Sequence, residues 1–296
     1  MANEIITREE FKERNQSILE NMQSAEFWHY TSLKNVDSIL GSKSFYATSI
    51  EGMNDLDEKK LHESDKNSVH VISFCNSESE KIPMWYLYSG IAGQGAAIGF
   101  TLGVFKNFIN SIDKVYGISK DGKKTELRKG ENFDLDYGFV CYKKNNSSTI
   151  KYRGKWKDIK NEEEFVKDNF FIKSYPWEYE KEFRIVIHNK TEVKYDKIEV
   201  KFDNIEISKL KVKLAPEINK TQLEGKISGC AGIKEYIFSK ILNSELSINM
   251  DLFKRNINGF VDVISTEFPN SSLLSKEDCL SLCKAISSFG KCANQK

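Results

Sequence analysis

Tyr175-Pro176-Trp177-Glu178-Tyr179-Glu180-Lys181-Glu182-Phe183-Arg184-Ile185-Val186-Ile187 turns from aromatic and acidic to apolar. Ile185 to Ile187 has the β-branched character of a buried strand, and the residues before it read as a loop feeding a central strand. At period two, Glu178, Glu180, Glu182 and Arg184 point to one side. Carboxylates so crowded raise one another's pKa values unless a cation or a ligand hydroxyl compensates, which is costly as surface decoration. The plainer alternative is a solvated edge strand with an Arg184 ion pair.

Working outward, strands are expected at Phe27 to Tyr30, Ser44 to Ala47, Val69 to Phe74, Ala96 to Phe100, Tyr137 to Tyr142, Lys194 to Phe202 and Lys209 to Leu214. Thr7 and Glu10 form a capping box for an opening cover helix of about four turns. Ser32 caps a helix that Gly41 ends, Pro83 starts a short aromatic helix through Tyr88, and Phe105 to Ile112 suits another. Lys120 to Glu131 and Lys143 to Lys160 are charged and polar, so both read as surface insertions, with a helix from Glu163 to Ile172 after them. From about Lys220 the pattern turns helical: Ile233 to Leu242, Leu252 to Phe268 and Cys279 to Phe289. The expected organisation is a domain over residues 1–219 and a helical appendage over 220–296.

Composition narrows the function classes. The 296 residues carry 44 basic and 43 acidic side chains, so no global field draws the chain to nucleic acid or to an anionic membrane. No apolar run approaches the roughly 20 residues that span a bilayer, and the first residues are charged, so a cytoplasmic protein without a membrane partner is expected. Six cysteines, sparse and uneven, read as reduced thiols. Cys279, Cys283 and Cys292 have no histidine nearby, so no metal site is expected. Gly93-Gln94-Gly95-Ala96-Ala97-Ile98-Gly99 precedes a strand where a dinucleotide fingerprint would follow one, and is read as a turn. Lys143, Lys144, Lys151, Arg153, Lys155 and Lys157, interleaved with Tyr142, Tyr152 and Trp156, suit either a solvated loop or a nucleic-acid backbone with stacked bases.

Two further constellations bear on chemistry. His29, in Trp28-His29-Tyr30-Thr31-Ser32, sits where a strand meets a helix, a place where ligands meet sheets; taken alone, the plainer reading is a histidine bonded to its local turn. Tyr46, in Phe45-Tyr46-Ala47-Thr48-Ser49 before Asn54-Asp55, offers a ring for stacking and a hydroxyl for anchoring, or packs as an ordinary core aromatic.

In this order, His29-Tyr30-Thr31, Tyr46-Ala47-Thr48 with Asn54-Asp55, Met84-Trp85-Tyr86-Leu87-Tyr88 and Trp177 to Arg184 resemble the His-Tyr-Glu signature of the ADP-ribosyltransferases. They are closest to a bacterial family of ADP-ribosyltransferase-like domains with a Trp-x-x-Glu-x-Glu-x-Arg strand. The resemblance spans roughly residues 25 to 215. It implies an α+β fold with a split, mostly antiparallel sheet of about six to eight strands, NAD in the cleft and helices outside. His29 would bind a ribose hydroxyl of NAD, Tyr46 would stack on nicotinamide, and Tyr30, Thr31, Thr48 and Asn54 would line the same pocket. Tyr30 stands where many relatives have glycine, which changes the pocket entrance. Glu182 would steady the oxocarbenium-like transition state and Glu180 would orient or deprotonate the acceptor, although the sequence leaves open which carboxylate is principal.

The resemblance therefore implies an NAD-dependent transferase acting on a macromolecular acceptor, protein or RNA or DNA. A role as a toxin or in anti-phage defence, with an inhibitory or activating protein partner, is a family-level expectation. Two alternatives use the same residues: an NAD glycohydrolase, and a module that binds a nucleotide or partner without chemistry.

Overall fold

Thr7 starts the first helix as its residues require, its hydroxyl accepting from the Glu10 N–H while the Glu10 carboxylate takes the Thr7 N–H at 2.9 Å. The computed structural model describes residues 3–53, 55–62, 68–77, 80–88, 95–144, 147–167, 169–216, 233 and 235–239. The chain runs β1 (Glu4–Ile6), α1 (Arg8–Gln16), β2 (Glu26–Ser32), α2 (Leu33–Ser42), β3 (Ser44–Ser49), α3 (Leu56–Leu61), β4 (Val69–Cys75), α4 (Ile82–Tyr88), β5 (Gly95–Thr101) and α5 (Leu102–Asn110). It continues through β6 (Lys114–Ile118), β7 (Lys124–Arg128), β8 (Phe133–Phe139), β9 (Cys141–Lys143), β10 (Thr149–Tyr152), β11 (Lys155–Ile159), α6 (Glu162–Val166) and β12 (Ile172–Ser174). A 3-10 segment, Tyr175–Glu180, leads into β13 (Glu182–Asn189), followed by β14 (Lys197–Lys201), β15 (Lys211–Leu214) and β16 (Glu235–Phe238).

The fold is α+β, with mostly antiparallel strands in two sheets. The larger has eleven strands in the order β16-β15-β5-β2-β4-β3-β14-β6-β7, with β13 on β4 and β8 on β13. The smaller has five, β1-β11-β10-β9-β12. One edge of β4 pairs with β13 along its whole length, from Glu182↔Cys75 to His188↔Val69. Its other edge is shared by two strands: β2 meets it at Trp28↔Cys75 and β3 at Thr48↔Val71 and Ser49↔His70. The large sheet therefore forks at β4, and the Ser73 carbonyl at the fork bonds the His29 imidazole at 3.0 Å.

Directly paired residues share a face and successive residues alternate. Phe183, opposite Phe74, lies on a face filled by Phe27, Phe45, Phe100, Phe105 and Phe108, all buried, with Phe27 and Phe105 stacked at 4.0 Å. Glu182, Arg184, Ser73 and Cys75 lie on the opposite face. α1 ties the sheets together: buried Asn15 donates to the Phe139 carbonyl, while its Oδ1 accepts from the Phe139 N–H and the Tyr152 hydroxyl.

Several expectations are corrected. Both presumed insertions are hairpins, β6–β7 and β10–β11, because their charges cover exposed faces. α1 is shorter than four turns, α2 runs past Gly41 to end at Lys43 (φ 48°), and the helix expected over Glu163 to Ile172 stops at Val166. Glu178 and Glu180 lie in the 3-10 segment, so only Glu182 and Arg184 share a strand face. Within the helix expected over Ile233 to Leu242, Glu235–Phe238 is instead β16, parallel to β15. The strand falls beyond the boundary expected at residue 219, and the chain divides into compact units Met1–Phe238 and Ser239–Lys296. The helices expected at Leu252 to Phe268 and Cys279 to Phe289 lie outside the described residues. No helix among the described residues is long and apolar enough to cross a membrane.

Candidate functional site

Lys181, with φ at 46°, ends the 3-10 segment and turns the chain into β13, which places Glu180 and Glu182 on either side of one ammonium. Lys173, on the neighbouring β12, reaches Glu180 at 2.5 Å and Glu182 at 3.4 Å. Arg184 grips Glu182 bidentately, with Nε 2.7 Å from Oε1 and Nη2 3.0 Å from Oε2. Its remaining donors go to both carboxylate oxygens of Glu58 on α3 and to the Phe170 carbonyl, 2.7 Å away. All five guanidinium N–H groups are thus used, as burial of an arginine demands. Ser73 adds a hydroxyl to Glu182 Oε1 at 2.5 Å, and the Glu182 N–H donates to the Tyr142 hydroxyl. Tyr88 on α4 donates to Glu180 at 2.5 Å.

The two glutamates are 3% and 4% exposed, yet they titrate in opposite directions. Burial, then the nearby Glu182 charge, pushes Glu180 up to about 7, with Lys173 and Tyr88 limiting the rise. Burial alone would raise Glu182 too, but Arg184, Lys173 and Ser73 hold it well below the usual carboxylate range. Lys173 resists the burial that would deprotonate it because both glutamates favour its charge. The arithmetic of charge explains the asymmetry: three carboxylates, Glu58, Glu180 and Glu182, face two cations, so one carboxyl tends to keep its proton near neutral pH. A carboxyl poised near neutrality next to one fixed as an anion is suited to acid–base work beside electrostatic stabilisation. Among the described residues no group of three or more His, Cys, Asp or Glu could hold a metal ion.

A family model described as "Protein of unknown function (DUF2971)" matches residues 84–185. The matched stretch begins within α4 and ends within β13, so it includes Tyr88, Tyr142, Lys173, Glu180, Glu182 and Arg184. No curated protein and no solved structure matches the chain.

The other residues expected at the site are distributed over both faces of the fork. His29 alternates with Trp28 onto the phenylalanine face, its ring edge-on to Phe45 at 5.1 Å and Phe74 at 5.7 Å. It meets the acidic cluster only through the Ser73 backbone. Burial lowers its pKa, so the ring is neutral; Nδ1–H donates to the Ser73 carbonyl, which leaves the Nε2 lone pair as an acceptor. Tyr30 lies on the Glu182 face, buried edge-on against Trp85 at 4.7 Å. Tyr46 and Thr48 alternate onto that face too; Tyr46 is 40% exposed, with the Lys197 ammonium 4.5 Å from its ring centre. The Thr31 hydroxyl is taken up by Asn35 at 2.9 Å, and Asn54 lies outside the described residues.

Sequence reasoning missed Ser73, Lys173 and Glu58; Tyr88 entered only with the Met84 to Tyr88 motif and Tyr142 only with the basic stretch, neither as a partner of the glutamates. Ser73 was detectable as a hydroxyl inside an apolar strand, and Lys173 as a cation directly after Phe170-Phe171-Ile172. Glu58 lies in a charged helix, where nothing marks it out.

Proposed function

We propose that the chain cleaves the nicotinamide–ribose bond of NAD and transfers ADP-ribose to a macromolecule, through an ADP-ribosyltransferase-like fold. The observation that carries this reading is the pair Glu182 and Glu180, one held ionised by Arg184, the other poised near neutrality. As the C–N bond breaks, nicotinamide leaves with the bonding electrons and positive charge develops on the ribose. A carboxylate that is already ionised and fixed stabilises that charge without reorganising. The acceptor oxygen then forms the new bond to the ribose carbon and passes its proton to Glu180, which returns it to water. The fork at β4 supports the reading by putting Tyr46 and Thr48 on the same sheet face as Glu182. His29 lies on the opposite, phenylalanine face of the fork, so the reading rests on the Glu182 face without it.

A second reading rests on burial. Because Glu180 is only 3% exposed, water reaches it more easily than a macromolecule does, which favours NAD hydrolysis. One experiment addresses both. Incubation with NAD carrying label on its adenylate half, with and without cell lysate, should release nicotinamide and place label on a macromolecule. Glu182→Gln should slow nicotinamide release roughly 10²-fold or more, while Glu180→Gln should suppress labelling more than release. Nicotinamide release without labelling would establish the hydrolase. Unchanged NAD in every arm, with no NAD binding by the intact protein, would sink both readings.

A further inference from the structure

The β10–β11 turn is a two-residue loop, Arg153-Gly154, with φ of 47° and 80°. That geometry favours asparagine, aspartate or glycine, and an arginine there is strained. Among the described residues three non-glycine residues have such φ values, Lys43, Arg153 and Lys181, and two of them line one cleft. The cleft, about 280 Å³, has Glu182 in its wall and Lys151, Arg153 and Lys181 around it. On the far side of the turn a second cleft of about 540 Å³ is lined by Arg14, Arg153, Lys155 and Lys157. The first cleft holds two carboxylates already shared by cations, Glu178 between Lys151 and Lys181 and Glu182 between Lys173 and Arg184, and the second holds Glu4 between Arg14 and Lys157. Arg153 and Lys155 make no ion pair among the described residues. Strained residues held by a rigid scaffold mark functional sites more often than chance, and here both are cations.

Aromatic faces adjoin this basic track. Half-buried Trp156 pairs with Lys151 across the hairpin and packs against half-buried Tyr175 at 5.2 Å, with the Lys144 ammonium 4.3 Å from its ring centre. Cations with half-exposed rings alongside form the combination that holds unpaired nucleotides; a duplex keeps its bases from such rings, and an acidic peptide gives them nothing to stack.

We propose that the β10–β11 hairpin is a binding surface for single-stranded nucleic acid, with phosphates on Lys151, Arg153 and Lys181, the strand passing around the Arg153-Gly154 turn to Lys155 on the other face, and a base against Trp156 and Tyr175. Because the track runs into the cleft walled by Glu182, such a strand is placed to be the acceptor in the transfer proposed above. The acceptor role rests on that reading, whereas the binding does not.

The test is fluorescence anisotropy with the full chain and a labelled single-stranded RNA of about twelve nucleotides, beside the same RNA as a duplex and a polyglutamate peptide. The single strand should bind in preference to both competitors, with affinity falling as salt rises. The double variant Arg153→Gly/Lys155→Gln, which relaxes the turn instead of straining it, should bind about tenfold or more weakly and flatten the salt dependence by about two charges. Trp156→Leu should weaken binding roughly tenfold, and Lys120→Gln/Lys123→Gln, on the exposed β6–β7 turn, should change nothing. Absence of binding at low salt, equal binding of polyglutamate or of the duplex, or indifference to the turn variant would overturn the proposal. Nicotinamide release measured on the same samples separates the two ideas: RNA binding with intact NAD leaves the surface standing without the transferase, and NAD turnover without RNA binding does the reverse.

Discussion

At the scale of single residues, the site is governed by an imbalance of one charge. Glu180 keeps its proton to about 7, against an ordinary value of 4.5, so between those pH values the folded chain holds a proton that the unfolded chain has lost. Its contribution to stability is therefore full below 4.5 and declines as pH rises to about 7. Glu182 acts with the opposite sign: its depressed pKa stabilises the fold above 4.5 and that stability disappears as acid protonates it. Urea unfolding at pH 5 and at pH 7.5 should show Glu180→Gln gaining relative to the native protein at the higher pH. An equal difference at both would mean that Glu180 titrates normally. The carboxylate pair and Arg184 were legible in the sequence because acidic residues packed before an apolar strand need compensation. Their partners were not, since Ser73 and Glu58 lie more than a hundred positions away and meet β13 only through strand register and the packing of α3.

At the scale of elements, the small sheet is the part whose sequence misled. Lys151, Lys155 and Lys157 give the β10–β11 segment the polarity of a loop, yet Ile150 and Tyr152 alternate inward, and Arg153-Gly154 was a readable two-residue turn. Tyr236-Ile237-Phe238 failed for another reason: a short apolar run carries no period that separates strand from helix. The N-terminal capping box, by contrast, is a local device and was read directly. What the capping box cannot show is the task of the helix it starts. Asn15 supplies both hydrogen bonds that end the β8 ladder and accepts from Tyr152 of the other sheet, leaving no room for a side chain at Gly138, where an added Cβ would meet Asn15 Cγ at 2.5 Å. Asn15→Ala would strand three buried polar groups and should cost about 2–4 kcal/mol in chemical denaturation. Thr7→Ala, which removes only the cap, should cost about 1 kcal/mol. Equal costs would show that α1 is not the clasp between the sheets.

At the scale of the whole molecule, the fork and the small sheet each supply half of the site. β13 carries Glu182 and Arg184 in the large sheet, while β12 and β9 of the small sheet bring Lys173 and Tyr142 against them. Neither sheet alone would tune Glu180, because its main raising charge, Glu182, belongs to one and its lowering charge, Lys173, to the other. The consequence is measurable in the proposed reaction. Acceptor labelling should rise with pH through about 7 as Glu180 loses its proton and becomes a base. Lys173→Met removes the cation that favours the ionised form, so the midpoint of that rise should move to higher pH, with the plateau still reached in alkaline buffer. Tyr142→Phe, which keeps Lys173 and loses only the acceptor for the Glu182 N–H, should leave the midpoint near 7. If Lys173→Met lowered the plateau without moving the midpoint, the small sheet would serve the site by packing alone, and the charge balance across the two sheets would not be what sets Glu180.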